Sequence, residues 1–141
     1  MAALRSADVI LHAGDLTSAS FHEELRALGP PVYAVHGNAD EPPLRELLPA
    51  ALEVEVEGLR IGMTHVPGQA AGREARLLRR FPGCGAVVFG HTHLPVVERV
   101  EGVWLLNPGS PTERRRGPFR SFLRLRVAGG EAVPDLVRID T

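Results

Sequence analysis

Short apolar runs, each broken by a glycine beside a polar residue, dominate the first two thirds of the chain. Val9-Ile10-Leu11-His12-Ala13-Gly14-Asp15, Val32-Tyr33-Ala34-Val35-His36-Gly37-Asn38 and Val87-Val88-Phe89-Gly90-His91 share this plan. Continuous β-branched and aliphatic runs of that length predict strands covered on both faces. Leu59-Arg60-Ile61-Gly62-Met63-Thr64-His65 is a fourth strand, ending at a histidine. Leu52-Glu53-Val54-Glu55-Val56-Glu57 instead alternates strictly, which predicts a half-exposed strand with Val54 and Val56 turned inward. Gly58 then joins it to the next strand as a hairpin.

Helical signals fall between these runs. Ser18 or Ser20 can cap a helix over residues 21–28, with Glu23 and Glu24 in the first turn and Gly29-Pro30-Pro31 as its stop. Glu41-Pro42-Pro43 opens a short helix through Leu48. An arginine-rich helix is expected over residues 73–81, with its basic side chains on a solvated face. After His93 the pattern is strand upon strand, at 96–100, 103–106, 121–127 and 133–139, with Gly102 and Gly129-Gly130 as hairpin turns. Strands alternating with helices, followed by consecutive strands, predict an α/β fold of two packed sheets with helices outside.

Four of the strands end on residue types that ligate metals: Asp15, Asn38, His65, and the pair His91 and His93. In an extended segment His91 and His93 point the same way, because side-chain direction repeats every two residues. Such a pair can clamp a metal, and two hydrogen-bonded loop histidines fit the spacing equally well. The other strand ends decide, since open α/β sheets gather ligands and catalytic groups at their carboxyl ends.

The order Gly14-Asp15, Gly37-Asn38-Ala39-Asp40, His65, Gly90-His91-Thr92-His93 resembles the calcineurin-like metallophosphoesterase superfamily, in its small bacterial and archaeal phosphodiesterase branch. Asn107-Pro108-Gly109-Ser110 resembles a further turn of that branch. The resemblance implies a four-layer α/β/β/α sandwich of two mixed sheets flanked by helices. It also implies an opening strand ending in Asp-x-His, which has no counterpart here. The expectation is therefore one metallophosphoesterase domain over residues 1–141, N-terminally incomplete and with the first strand missing. In the family that strand lies beside those ending at Asp15 and in the Gly-His-x-His motif. A gap is expected there, and with it an aggregation-prone chain or a homo-oligomer that fills the slot.

Composition narrows the partners. At 141 residues the chain suits one domain, and a net charge of −1 offers no global basic field for nucleic acid. No run approaches the ~20 apolar residues of a transmembrane helix. Cys84 is the sole cysteine, so no intrachain disulfide forms and a reducing cytoplasm is the expected location. Within Pro82-Gly83-Cys84-Gly85 it is expected as a small core or turn residue rather than a reactive thiol.

The chemistry implied is hydrolysis of a small phosphodiester by two-metal activation of water. Two divalent ions roughly 3.5–4 Å apart generate hydroxide at neutral pH and neutralise charge on the phosphoryl oxygens. By resemblance, Asp15, Asn38, His65 and His91 hold one metal. Asp15 and His93 contribute to the other, whose remaining ligands belong to the absent motif; activity of the chain as given is expected to be impaired. Mn²⁺ is the first choice of metal, with Fe, Zn²⁺ or Ni²⁺ as alternatives. Asp15, Asn38, Asp40 and His91 form the expected catalytic set, Asp40 acting as an orienter of ligands. Ala39 stands where larger phosphatases of the superfamily carry a histidine, which favours phosphodiesters with good leaving groups. His12 and His36 are expected as hydrogen-bonded histidines inside or beside the core, and His22 as an exposed one. Arg114-Arg115-Arg116 is expected as an exposed charged loop, or as a phosphate-capturing one. The alternative function is a noncatalytic scaffold, as in a retromer subunit resembling these phosphodiesterases. Retention of every expected ligand after Met1 favours the enzyme.

Overall fold

The structure is a computed structural model of the chain, and it describes residues 8–12, 27, 30–35, 48–65, 71–90, 95–108 and 120–139. Two short strands, β1 (Ile10–His12) and β2 (Val32–Ala34), pair in parallel, with His12 beside Ala34. A five-stranded mixed sheet is built from β3 (Ala51–Val56), β4 (Leu59–Thr64), β5 (Ala86–Phe89), β6 (Val96–Val100) and β7 (Val103–Asn107). Its order is β3-β4-β5-β7-β6. The central three strands run parallel and the two outer pairs are antiparallel. The last two strands, β8 (Arg120–Ala128) and β9 (Glu131–Ile139), form a long hairpin of their own. Among the described residues one helix, α1 (Arg73–Arg80), crosses from β4 to β5, so that its first turn lies at the carboxyl end of the parallel strands. The expected helices over 21–28 and 41–48 lie almost wholly outside the described residues.

Burial follows the patterns read from sequence. All four residues of β5 are buried, as a strand covered on both faces requires. Alternate side chains divide between two cores. Leu59, Ile61, Met63, Ala86, Val88 and Leu106 face a core that also takes Val35, Ala132 and the half-buried Leu11, Leu123 and Leu125. That core therefore lies between the five-stranded sheet and the two smaller ones. On the opposite face, Val87, Phe89 and Leu105 pack with Leu77, Phe81 and Cys84 around α1. Val54 and Val56 join the first core while Glu53 and Glu55 stay exposed, as strict alternation dictates.

The gap expected beside the strand of the Gly-His-x-His motif is not there. β5 is hydrogen-bonded on both edges, to β4 and to β7. The physical reason is topological: β7 returns in parallel to β5 after β6 and occupies the edge that the family-based expectation left open. The arginine-rich helix also differs in part from expectation. Arg79 and Arg80 are exposed, but Arg73 folds back over the ring of Phe89, with its Cζ 5.0 Å from the centroid. Cys84 is a buried thiol whose Sγ donates to Glu53 Oε1 at 3.4 Å. Burial, reinforced by that carboxylate, pushes its pKa up to about 11.

Candidate active site

The two parallel pairs each bring two motif-bearing segments side by side. Val35 N–H donates to the carbonyl of His12 at 3.2 Å, so the segments that continue to Asp15 and to Asn38 leave β1 and β2 as neighbours. Across the core, Gly90 N–H donates to the carbonyl of His65 at 3.2 Å, and Thr64 pairs with Phe89. Val35 and Met63, near the ends of β2 and β4, are both fully buried in one cluster. Asp15, Asn38, Asp40, His91 and His93 themselves lie outside the described residues, as do His22, His36 and Arg114 to Arg116.

His65 is described, and it is buried at 3% exposure immediately after β4. An imidazole held in so enclosed a position needs polar partners or a metal rather than bulk water. It follows Met63 on the alternation that turns Leu59, Ile61 and Met63 toward the inter-sheet core. Among the described residues no group of three or more His, Cys, Asp or Glu is assembled. The residue types expected from the sequence, imidazole, carboxylate and amide, are those that suit a borderline divalent transition metal.

Asn107 was undervalued by sequence reasoning. It ends β7, is buried at 1% exposure, and its Nδ2 donates to the carbonyl of Gly90 at 3.3 Å. Gly90, which precedes His91 in the chain, is thereby anchored from both sides: the His65 carbonyl receives the Gly90 N–H and Asn107 donates to the Gly90 carbonyl. Ser121, also fully buried, donates from Oγ to the carbonyl of Pro108 at 2.8 Å and ties the same segment to β8. The available signal was a polar residue ending an apolar strand, Val103-Trp104-Leu105-Leu106-Asn107, the rule already applied to four other strands.

The family model of the calcineurin-like phosphoesterase superfamily domain matches residues 1–130. The chain belongs to that superfamily. A probable metallophosphoesterase of Methanothermobacter thermautotrophicus is 37% identical over 139 residues, covering 96% of this chain and 78% of its own length. A phosphodiesterase of Methanocaldococcus jannaschii is 28% identical over 116 residues, covering 72% of this chain and 66% of its own. Among solved structures, wild-type Vps29 of Entamoeba histolytica complexed with zinc superposes with a TM-score of 0.76 at 23% identity, covering 97% of this chain and 86% of that one. The mixed α/β architecture is thus that of calcineurin-like phosphoesterases. Membership implies divalent metal ions as cofactors. No helix among the described residues is long and apolar enough to cross a membrane.

Proposed function

We propose that the protein is a metal-dependent phosphodiesterase acting on a small phosphodiester, with Asp15, Asn38, His65, His91 and His93 as metal ligands and Asp40 orienting them. The observation that carries this reading is the buried His65 at the end of β4, bonded through its backbone to Gly90, one residue before His91. Divalent ions bound there, Mn²⁺ first among them, would supply an activated water and offset charge on the phosphoryl oxygens. The chain's own part is to hold imidazoles, carboxylate and amide in fixed directions. The backbone bond between His65 and Gly90 and the side chain of Asn107 fix Gly90, the residue before His91, beside His65. Asp15, as a carboxylate, would hold the ions and offset their mutual repulsion. Ala39 leaves no general acid at the position following Asn38, which favours substrates whose leaving group departs without a proton. The buried thiol of Cys84 accords with a reducing cytoplasm as the place of action.

The test is hydrolysis of bis(p-nitrophenyl) phosphate by the purified chain with added Mn²⁺. Slow but metal-dependent turnover is expected, lost on chelation and lost in Asp15→Asn. A rate unchanged by chelator, or retained in Asp15→Asn, would overturn the assignment. Mn²⁺ binding without turnover of any diester would favour the noncatalytic scaffold reading.

A further inference from the structure

Alternation along β8 turns Ser121, Leu123, Leu125 and Val127 toward the core between the sheets. Three of these are apolar, and Ser121, which heads the row, is wholly buried. An alanine would occupy nearly the same space and bring no hydroxyl that needs a partner away from water. The hydroxyl therefore has to be explained by what it holds. Its Oγ donates at 2.8 Å to the carbonyl of Pro108, which directly follows the last residue of β7.

Proline has no N–H and a φ fixed by its ring, and the residue before it is confined to extended backbone. Asn107 is thus held on both sides: by the ladder to Val96, and by Pro108, whose carbonyl Ser121 engages. With its backbone set, its buried side chain donates to the Gly90 carbonyl at 3.3 Å, and Gly90 N–H donates to the His65 carbonyl at 3.2 Å. These bonds join β8, β7, β5 and β4 in succession and end at the buried His65. The hairpin has other fastenings at its far end: Gly130 N–H donates to the Glu57 carbonyl at 2.9 Å, and Arg99 and Glu131 form an exposed ion pair at 3.8 Å. Together with the shared core these keep the hairpin on the sheet, so the Ser121 bond acts locally.

We infer that Ser121 is a positioning residue: its hydroxyl fixes the Pro108 peptide and, through Asn107, holds Gly90 against His65. A residue of the terminal hairpin thereby sets the geometry of the sheet end at which His65 stands. The consequence for metal binding rests on the reading of His65 as a ligand, whereas the coupling of Ser121 to Gly90 does not. Groups that orient a ligand from behind act on affinity without touching the metal.

The test is amide hydrogen exchange by NMR on the metal-free full chain, followed by Mn²⁺ titration of the same proteins. Gly85, whose N–H donates to the Arg60 carbonyl at 2.9 Å at the start of β5, serves as the internal reference for Gly90. In Ser121→Ala the exchange rate of Gly90 relative to Gly85 should rise roughly 3- to 10-fold, the size given by one hydrogen bond, with Mn²⁺ affinity falling by a similar factor. Ser121→Cys, which keeps a weaker donor, should recover part of both. Leu125→Ala removes apolar contacts from the same row, so it should cost more stability while leaving the ratio of the two amides and the Mn²⁺ affinity unchanged. Should S121A fail to fold, S121C against L125A carries the comparison. An unchanged ratio in S121A, an equal rise in L125A, or Mn²⁺ affinity kept at the wild-type value in S121A would each overturn the inference. A raised ratio in S121A with no Mn²⁺ bound by the wild type would defeat the metal-site reading and leave the coupling of Ser121 to Gly90 standing.

Discussion

The two ends of the five-stranded sheet are built from different materials. At the end where the parallel strands begin, the chain turns on glycines. Glu57-Gly58 joins β3 to β4, Glu101-Gly102 joins β6 to β7, and Gly129-Gly130 joins β8 to β9. In each of these two-residue turns both φ angles are positive, the geometry that matches strand twist and that glycine adopts freely. Two of the turns touch, since Gly130 N–H donates to the carbonyl of Glu57 at 2.9 Å, and this contact fastens the terminal hairpin to the sheet. At the opposite end, where the parallel strands finish, buried polar side chains appear: Thr64, His65 and Asn107. Backbone economy holds one end together, whereas the other takes on polar groups that cost free energy unless each is partnered. The difference teaches where stability and chemistry separate in this fold, and mutations at the two ends should separate in the same way.

The largest expected effect is at the chemical end. His65→Ala should lower metal-dependent diester hydrolysis by more than ~100-fold, beyond what loss of a supporting group costs, with Mn²⁺ affinity falling in parallel in a calorimetric titration. Asn107→Ala should act more gently, by about 10- to 100-fold on metal affinity or turnover, because it releases the Gly90 carbonyl and not a ligand. A wild-type rate in either variant would erase the distinction between the ends.

On the opposite, α1-facing side of the sheet, Gly62→Ala should damage stability and leave metal affinity intact. A methyl group there would sit 2.4 Å from Cδ1 of the buried Phe81, so the ring must shift, at about 1–3 kcal/mol measured by denaturant melts. Cys84 gives a smaller effect that depends on pH. Its folded pKa of about 11 lies above the ordinary thiol value of 9.0, so the folded chain keeps its proton where the unfolded chain loses it. The contribution is therefore full below about 9 and fades as pH rises toward about 11. Unfolding midpoints across that interval should fall more steeply for the wild type than for Cys84→Ala. Smallest of all, Val133→Thr on the exposed face of β9 should change stability by no more than ~0.5 kcal/mol.

Where hydrophobic period and turn chemistry agreed, the fold was legible in the sequence. The alternation of Leu52 to Glu57, the Gly58 turn and the run Ala86 to Phe89 all became the elements they predicted because local preference and burial point the same way. Sheet order was not legible: that β7 lies between β5 and β6 depends on long-range pairing that no local pattern encodes. The ordered motifs did identify the superfamily, now matched over residues 1–130. Of the candidate ligands, His65 alone falls within the described residues, where its side chain is buried. The anchoring contact of Asn107 was not legible, because its partner Gly90 is distant in sequence.

The central claim is that the carboxyl ends of these strands form a metal site. Calorimetric titration of Mn²⁺ into the wild-type chain, Asp15→Asn, His65→Ala and the mid-strand packing variant Gly62→Ala tests it without recourse to any substrate. The account predicts saturable binding in the wild type and in Gly62→Ala, and binding that is lost or greatly weakened in Asp15→Asn and His65→Ala. Equal Mn²⁺ affinity in all four proteins, or none in any, would contradict it.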